Sequence, residues 1–277
     1  MNNVYFGDNL SVLALLPDSS FQLIYIDPPF NTGKKQTLNR VKMQRVSNGG
    51  REGFGGNNYE QTKLSNMSYD DDFDDFLGFI RPRLEQAKRL LKDTGTLYLH
   101  IDYREVHYVK VLLDEIFGRD CFLNEIIWAY DYGAKAKNKW PTKHDNILVY
   151  VKNPTKYYFS NESVDRESYM APGLVSKEKA EKGKLPTDTW WHTIVPTNGK
   201  ERTGYPTQKP EGILRRIISA SSRPNDMVLD FFAGSGTTGA VANQLGRNFV
   251  LIDNNLEAIS VMKKRFASIQ VKFLKLK

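Results

Sequence analysis

Residues 229–238 have the sequence LDFFAGSGTT, in which an apolar strand ends at Asp230 and a glycine-rich turn leads into a helix. Glycines at such a turn let a ligand approach the backbone, and the first N–H groups of the helix are free to bind it. The next strand ends at Asp253, where a carboxylate can accept both hydroxyls of a ribose. The pattern predicts a nucleoside-cofactor site, although a tight βα turn without a ligand can look similar. Because a P-loop lysine is missing, an NTPase is disfavoured.

Short apolar runs alternate with amphipathic stretches along most of the chain, which is the pattern of βαβ units. It predicts strands at 3–6, 21–26, 96–101, 124–130, 146–151, 227–231 and 249–252, and helices at 10–16, 73–91, 105–117, 211–221 and 256–266, with another that ends at Leu245. Pro82 should kink or divide the second helix. The strands at 124–130 and 146–151 should pair antiparallel, because their connection is too short for a covering helix. We therefore expect a parallel sheet that is mixed at one edge.

The composition is that of an ordinary globular chain of one large or two small domains. It has 277 residues, 40% hydrophobic and 26% charged, and no apolar run approaches the length of about eighteen residues that a membrane span requires. The N-terminus lacks the features of a signal peptide, and the single Cys121 with four histidines provides neither an internal disulfide nor a Cys/His metal cluster. We expect a reducing interior, no membrane and no metal.

The net charge of +7 predicts a polyanionic partner, and its distribution is more informative than its sum. Residues 31–69 and 131–215 each carry a net charge of +5, and the rest of the chain is slightly acidic. Both segments are polar and have few predicted strands. Basic loops on a nearly neutral scaffold suit phosphate contacts, although solvated linkers have the same composition.

A second motif, Asp27-Pro28-Pro29-Phe30, follows the strand at 21–26. The prolines remove N–H donors, which leaves the Asp27 carboxylate and backbone carbonyls as a ring of acceptors, and Phe30 offers a stacking face. Such a ring suits the exocyclic amine of a base flipped out of DNA. Alone, the motif could simply end a strand. Together with the glycine-rich turn, the motif is better explained as part of a functional site than as a strand end.

At these two motifs the chain resembles the amino-methylating DNA methyltransferases, which have an Asp-Pro-Pro-aromatic catalytic motif and a Phe-x-Gly-x-Gly loop for S-adenosylmethionine. The loop here is Phe232 to Gly236, and the catalytic motif precedes it, as in the circularly permuted beta class. Residues 31–33, 69–71 and 92–118 are similar to the modification subunits of type III restriction systems and their solitary relatives. The match leaves out 34–68 and 152–204. Phe30 replaces a commoner tyrosine, and Tyr205 stands where the family often has histidine.

The resemblance implies an α/β Rossmann-like, S-adenosylmethionine-dependent methyltransferase fold with a seven-stranded, mostly parallel sheet and an active site at the carboxyl ends of its strands. Residues 1–151 would form the catalytic half with the basic loop 34–68 inserted, 152–204 a small DNA target-recognition segment, and 205–277 the cofactor-binding half. The resemblance also implies a cytoplasmic location near the DNA of a bacterial or phage-like interior. DNA is the expected partner, and a homodimer and a restriction enzyme are further candidate partners.

The same resemblance assigns the site residues. Asp27, Pro28, Pro29 and Phe30 form the catalytic motif, in which Asp27 and the Pro28 carbonyl accept the amine protons. The cofactor would contact Asp8 at its adenine, Asp253 at its ribose, Thr207, Gln208 and Lys209 at its methionine carboxylate, and Asp230, Phe231, Phe232, Gly234, Ser235, Gly236 and Thr237 along its methionine end. For Asp8 and residues 207–209, a helix N-cap and a turn before a helix are equally good interpretations.

The segment 34–68 leaves the catalytic motif directly, so we expect it to pass the mouth through which a flipped base enters. Its basic residues Lys34, Lys35, Arg40, Lys42 and Arg45 would then contact DNA phosphates, and the segment, poorly ordered alone, would close over the substrate. A solvated insertion is the alternative, given its glycine and asparagine content. The four histidines are interpreted as structural or surface residues, and Trp190 and Trp191 as a pair that packs the 152–204 segment onto the core.

The predicted function is transfer of a methyl group from S-adenosylmethionine to N6 of a flipped adenine at specific DNA sites. Cytosine N4 is the alternative, since the acceptor ring suits either amine. Methylation of RNA or of a protein glutamine uses a similar motif, usually with asparagine in place of Asp27. Ring-carbon methylation of cytosine is rejected, because it needs a nucleophilic cysteine and Cys121 lies far from both motifs in the sequence. The intact motifs argue against a DNA-binding relic without a cofactor.

Overall fold

One mixed β-sheet with helices on both faces organises the molecule. The computed structural model describes residues 2–33, 36–46, 51–52, 58–69, 71, 73–133 and 135–276, and it describes the three ranges between 36 and 69 as backbone. The strands are β1 (Asn2–Phe6), β2 (Phe21–Ile26), β3 (Gln36–Val46), β4 (Arg51–Glu52), β5 (Asn58–Tyr69), β6 (Leu91–Ile101), β7 (Phe122–Ala129), β8 (His144–Val151), β9 (Thr189–Trp191), β10 (Met227–Asp230), β11 (Asn248–Asp253) and β12 (Val271–Lys275). The helices are α1 (Asn9–Leu15), α2 (Phe76–Leu90), α3 (Val106–Phe117), α4 (Lys177–Lys182), α5 (Glu211–Ser221), α6 (Thr237–Gln244) and α7 (Leu256–Arg265).

In the described part of the chain, the main sheet has nine strands in the order β12-β1-β11-β10-β2-β6-β8-β7-β9. Neighbours from β12 to β6 run parallel, β8 is antiparallel to both β6 and β7, and β9 is parallel to β7. The predicted α/β fold with a mostly parallel sheet, mixed at one edge, is confirmed. There are nine strands rather than seven because β9 and β12 extend the sheet at its two edges. Strand β9 has only three residues, and lysines interrupt the apolar residues of β12, so neither shows the apolar run by which the other strands were predicted.

The hydrophobic core consists of two layers, one on each face of the sheet. Helices α1, α2 and α3 pack on one face, and α5, α6 and α7 pack on the other. Strand β2 is buried along its whole length because it is central and covered on both sides. Its Ile24 and Ile26 contribute to the first layer, and Leu23 and Tyr25 to the second.

Helix α2 is continuous across Pro82, so the predicted division of this helix does not occur. The apolar stripe that predicted the helix also explains its continuity, since Phe76, Ile80, Leu84 and Ala87 are all buried against the sheet. Packing of a whole helix face can outweigh the backbone hydrogen bond that one proline removes.

The segment 34–68, predicted to be a loop, instead contains strands. β3 pairs antiparallel with β5 along nearly its whole length, and β4 pairs with β5 as well, so that they form a separate three-stranded sheet in the order β3-β5-β4. The prediction was wrong because it relied on polar composition. Two stretches of similar length on either side of a glycine- and asparagine-rich connection can satisfy each other's backbone groups by pairing.

The predicted recognition segment, 152–204, joins the main sheet through β9. Most of it has no regular structure; α4 and an antiparallel bridge between Glu167 and Lys184 are exceptions. Trp190 is buried in the core, but Trp191 is 76% exposed, so the prediction that the pair packs this segment onto the core holds for Trp190 and is wrong for Trp191. The reason is that successive residues of a strand point to opposite faces. No helix in the described ranges is both long enough and apolar enough to cross a membrane.

Candidate active site

The carboxyl ends of four neighbouring strands bring four aspartates to one edge of the sheet. Strands β1, β11, β10 and β2 lie side by side and parallel. Each is ended or followed by an aspartate, in that order Asp8, Asp253, Asp230 and Asp27. This edge is where open α/β sheets bind ligands. Because β10 pairs with β2, the two sequence motifs meet although they are about 200 residues apart.

A cavity of ≈ 820 Å³ opens at this edge. It is lined by all the residues assigned from the sequence to catalysis or to the cofactor except Gly236, namely Asp8, Asp27, Pro28, Pro29, Phe30, Thr207, Gln208, Lys209, Asp230, Phe231, Phe232, Gly234, Ser235, Thr237 and Asp253. The fold thus brings together residues from both ends of the chain. The cavity is large enough for a nucleoside cofactor.

The glycine-rich turn has backbone conformations that favour glycine. Gly236, just before α6, has φ = 74°, and a Cβ added there would lie 2.8 Å from Cγ of Met262. Gly234 has φ = 49°, and its N–H donates to Oδ2 of Asp253 at 2.7 Å. Gly236 therefore contributes by setting the turn and the start of α6 rather than by lining the cavity.

Asp230 is buried beneath this turn. Its Oδ1 accepts the N–H of Phe232 at 3.0 Å, and its Oδ2 accepts the hydroxyl of Thr238 at 2.6 Å. Burial raises the pKa of Asp230 to about 7 against the effect of these hydrogen bonds, and the charges of Asp27 and Asp253 add to the increase. Burial also raises the pKa of Asp253 to about 6. The cavity wall is thus acidic and suits a cationic ligand.

The Asp230→Asn variant is expected to be more stable than the native protein above pH 7 and equally stable below about pH 4. Since the pKa of Asp230 rises from 3.8 to about 7 on folding, the unfolded chain loses its proton first as pH increases. Native stability therefore falls through this window, by roughly 1.4 kcal/mol per pH unit at most. Asparagine keeps an acceptor for Phe232 and does not titrate. Urea denaturation of both proteins from pH 4 to 8 measures the difference, and a pH-independent difference would contradict the assignment.

Asp27 has one carboxylate oxygen engaged and the other available. Lys209 Nζ lies 2.8 Å from Oδ2, and both side chains are largely buried. Oδ1 is buried and has no hydrogen-bond partner among the described residues. Lys209 Nζ also lies 4.9 Å from the centroid of the Phe30 ring. A buried acceptor without a hydrogen-bond donor lowers the stability of the fold. Oδ1 therefore marks a position where a hydrogen bond from a ligand N–H would be favourable.

A buried polar network supports the catalytic motif, and sequence reasoning missed it. The Tyr25 hydroxyl lies 2.9 Å from Nδ1 of His100, and His100 Nε2 lies 3.1 Å from Oδ2 of Asp145. Tyr130 donates to the other Asp145 oxygen at 3.0 Å. Burial acts to raise the pKa of Asp145, but the hydrogen bond and charge of His100 outweigh it and hold the pKa below its ordinary value. Phe30 packs on the His100 ring at 5.8 Å between centroids, so the network supports the stacking residue from below.

A second set of missed contacts fixes the chain just after the catalytic motif. Asp71, which is 1% exposed, accepts the backbone N–H of Asn31 at 2.7 Å and the hydroxyl of Thr32 at 2.5 Å. Asn31 has φ = 54°, and its side chain donates to Glu105 at 2.8 Å. An asparagine-threonine-glycine run after the prolines was a turn signal, but nothing in the sequence indicated that Asp71 would be its partner.

The remaining assigned residues have partners within the protein. Asp8 is the N-cap of α1, accepting the Ser11 N–H at 2.9 Å, which confirms the N-cap interpretation. Gln208 accepts from Thr203 and donates to the Glu201 carbonyl, both at 2.8 Å, so its amide orders the turn before α5. A further carboxylate, Glu257, lines the cavity with a buried Oε2 that has no partner among the described residues. Sequence reasoning did not single it out.

Of the basic residues assigned to DNA, Lys34 and Lys35 lie outside the described residues. Arg40, Lys42 and Arg45 belong to β3, of which the backbone is described. That strand begins six residues after Phe30, and the contact of these residues with DNA stays a prediction.

A second cavity, of ≈ 1310 Å³, adjoins the first. The two share a wall made of Phe30, Thr32, Tyr205, Pro206, Thr207, Gln208 and Lys209. Aromatic and basic side chains of the second cavity include Tyr103, Arg104, Trp128, Tyr130, Lys139 and Trp191. Flat rings and cations suit nucleic-acid bases and phosphates. Three carboxylates, Asp102, Asp131 and Asp145, also line the second cavity. Phe30 and Lys209 thus lie between a cavity rich in carboxylates and one rich in aromatic rings that carries both charges.

Comparison with known proteins gives relatives along almost the whole chain. The N6/N4 methyltransferase family model, described as DNA methylase, matches residues 21–264. The type II methyltransferase M.HpaI of Haemophilus parainfluenzae is 31% identical over 261 residues, which cover 94% of this chain and 72% of that protein. The DNA adenine methyltransferase YhdJ of Escherichia coli strain K12 is 31% identical over 270 residues, which cover 95% of this chain and 81% of that protein.

Solved structures share the fold. The M1.HpyAVI–SAM complex superposes with a TM-score of 0.60 at 21% identity, covering 96% of this chain and 99% of that one. The cytosine-N4-specific PvuII DNA methyltransferase superposes with a TM-score of 0.61 at 16% identity, and the match covers 98% of this chain and 95% of that one. The family model and the two relatives cover both motifs and the sheet edge at which they meet. The chain therefore belongs to the amino-methylating (N6/N4) DNA methyltransferases.

Proposed function

We propose that this protein transfers a methyl group from S-adenosylmethionine to N6 of an adenine at specific sites in DNA. The observation that carries the proposal is the buried, unpartnered Oδ1 of Asp27, beside the wall that separates the two cavities. An exocyclic amine that enters from the second cavity would find an acceptor there and a stacking face in Phe30. The named adenine specificity of the relative YhdJ favours adenine over cytosine.

The residues of the first cavity fit S-adenosylmethionine. The buried Oε2 of Glu257 lacks a donor, the turn at Gly234 exposes backbone, and the acidic wall suits a sulfonium cation. When bound, this cofactor supplies an electrophilic methyl group. Asp230, Ser235 and Thr237 would hold its methionine end, Asp253 its ribose and Asp8 its adenine.

The catalytic motif orients and polarises the target amine. Asp27 Oδ1 and the Pro28 carbonyl accept its N–H groups, which points the nitrogen lone pair toward the methyl group and stabilises the positive charge that develops on nitrogen. The proton that the methylated nitrogen must release would pass to the acceptor that faces it, Asp27 Oδ1, and from there to solvent. Lys209 keeps the second Asp27 oxygen occupied and so fixes the carboxylate plane.

DNA is the expected partner, and the basic residues Lys34, Lys35, Arg40, Lys42 and Arg45 are proposed to contact its phosphates. They follow the catalytic motif along the chain and are positively charged, which suits contacts with phosphates. The target-recognition role of 152–204, a homodimer and a restriction partner stay predictions.

The Asp253→Asn variant is expected to bind S-adenosylmethionine roughly 5- to 150-fold more weakly, since loss of charge weakens hydrogen bonds to ribose hydroxyls by about 1 to 3 kcal/mol. Asp253 accepts the Gly234 N–H through Oδ2 and the Asn255 N–H through Oδ1, and asparagine retains one of these two acceptors. Calorimetric titration measures the affinity, and circular dichroism checks the fold. An unchanged affinity in a folded variant would count against the ribose assignment.

Sequencing of DNA from cells that express the protein, with detection of modified bases, tests the function. We expect N6-methyladenine in one sequence context, confirmed by mass spectrometry of the nucleosides. N4-methylcytosine would support the second candidate, which the shared acceptor chemistry allows. If the protein binds S-adenosylmethionine and neither base is modified, the proposal is wrong.

A further inference from the structure

The connection between β7 and β8 has an unusual surface. It spans residues 130–143, of which the structure describes all but 134, and its base is closed by the Tyr130 N–H, which donates to the Lys143 carbonyl at 2.9 Å. Trp140 is 93% exposed and Tyr132 is 66% exposed. By contrast, Trp128, on the strand that leads into this connection, is 2% exposed. Tryptophan is seldom left almost fully in water, because its large apolar surface favours burial.

Positive charge surrounds the exposed tryptophan. Lys135, Lys137 and Lys139 precede it, and in the described part of the chain none of them has a carboxylate within 4.0 Å. Lys143, in contrast, lies 3.6 Å from Asp131. Lys139 Nζ lies 6.0 Å from the centroid of the Tyr103 ring, which also lines the second cavity. Three cations without a carboxylate partner among the described residues, beside an exposed indole, combine a phosphate-binding feature with a base-stacking one.

The connection borders the second cavity. Tyr132, Ala136, Lys139 and Thr142 line it, and Phe30 lines the same cavity from the shared wall. A base that enters the second cavity past this rim would bring the DNA backbone that carries it close to the lysines of the connection.

We propose that residues 130–143 form a DNA-binding arm, in which Lys135, Lys137 and Lys139 contact phosphates and the Trp140 indole stacks on a DNA base. This inference rests on the proposed function and adds a contact surface to it. DNA is favoured over an acidic protein because a polyanion alone would engage the lysines and leave the indole without a stacking partner.

Tryptophan fluorescence tests the stacking. Of the four tryptophans, Trp128 and Trp190 are buried, so the Trp191→Phe variant leaves Trp140 as its exposed tryptophan. In this variant, binding of unmethylated plasmid fragments should lower the fluorescence of Trp140. The bound DNA should also protect Trp140, so that acrylamide quenches its fluorescence severalfold less. Heparin, a polyanion without bases, should do neither. Equal effects of heparin and DNA, or unchanged acrylamide quenching with bound DNA, would overturn the stacking role.

Salt-dependent binding tests the lysines. The triple variant Lys135→Gln, Lys137→Gln, Lys139→Gln should reduce the slope of log affinity against log salt by about 2 to 3 and weaken binding at least tenfold at low salt. The matched control replaces Lys263, Lys264 and Lys272 with glutamine; these exposed residues lie on α7 and β12, toward the opposite edge of the sheet.

The outcomes separate the two proposals. If the native protein neither binds nor methylates DNA, the proposed function fails. If the native protein does both and the arm variant behaves like the matched control, only the arm is wrong. Cofactor affinity should be equal in all of these variants.

Discussion

Replacing Asp27 with alanine is expected to lower the rate of methyl transfer by about 10²-fold or more, because removal of a hydrogen bond to the developing charge typically has an effect of this size. The affinity for S-adenosylmethionine should change little, since Asp27 acts on the target amine. Single-turnover methylation and calorimetric titration measure the two quantities. Full activity in a folded variant would rule out the catalytic role.

The Asp27→Asn variant is the sharper form of this experiment. Asparagine retains the size of the side chain and one oxygen, but it removes the charge and can present an N–H donor where the amine needs an acceptor. We expect a loss of activity close to that of alanine with a smaller effect on stability. If asparagine were nearly fully active, the carboxylate charge would be unimportant and only an acceptor would be required.

The Lys209→Met variant is expected to lower the turnover rate by roughly tenfold or more, less than the loss of Asp27 itself. Methionine removes the donor 2.8 Å from Asp27 Oδ2, so the carboxylate is free to turn and its Oδ1 is no longer held toward the amine. The Lys209→Arg variant should restore part of the rate. A double-mutant cycle with Asp27→Ala should be strongly non-additive, because the two residues act as one unit.

Cofactor affinity separates two roles for Lys209. If its ammonium acts through Asp27, the variant loses turnover rate while its affinity for S-adenosylmethionine stays near the native value. If it binds the methionine carboxylate, as the resemblance implied for residues 207–209, the affinity falls instead. The structure places Nζ at Asp27, so we expect the first outcome.

Local sequence patterns predicted the elements whose stability is local or strongly periodic. The bounds of β2 and α5 agree residue for residue with the prediction, because a continuous apolar strand and an amphipathic stripe are readable without knowledge of their neighbours. The two glycine- and proline-based motifs were also readable, since their backbone requirements are intrinsic to those residues. The resemblance predicted that the two motifs lie close together in the fold, and the pairing of β10 with β2 brings them together.

Long-range side-chain contacts could not be predicted from the sequence. Asp71 meets Asn31 across 40 residues, and His100 meets Asp145 across 45. Each is an ordinary polar residue in its local context, and only the sheet order and the path of the loops bring the partners together. The hairpin of β3 and β5 was missed for a related reason, because its stability comes from the pairing of two polar stretches rather than from an apolar pattern in either one.

The wall shared by the two cavities, which includes Phe30 and Lys209, borders both of the proposed ligand sites. A movement of this wall when one cavity fills changes the free energy of binding in the other. Thermodynamic linkage makes the effect reciprocal: the factor by which the methyl donor alters DNA affinity equals the factor by which DNA alters the affinity for the donor. If one of the two, the methyl donor or DNA, is observed to bind first, that order reflects how fast each reaches its cavity. The equilibrium amount of the complex with both bound is the same for either order.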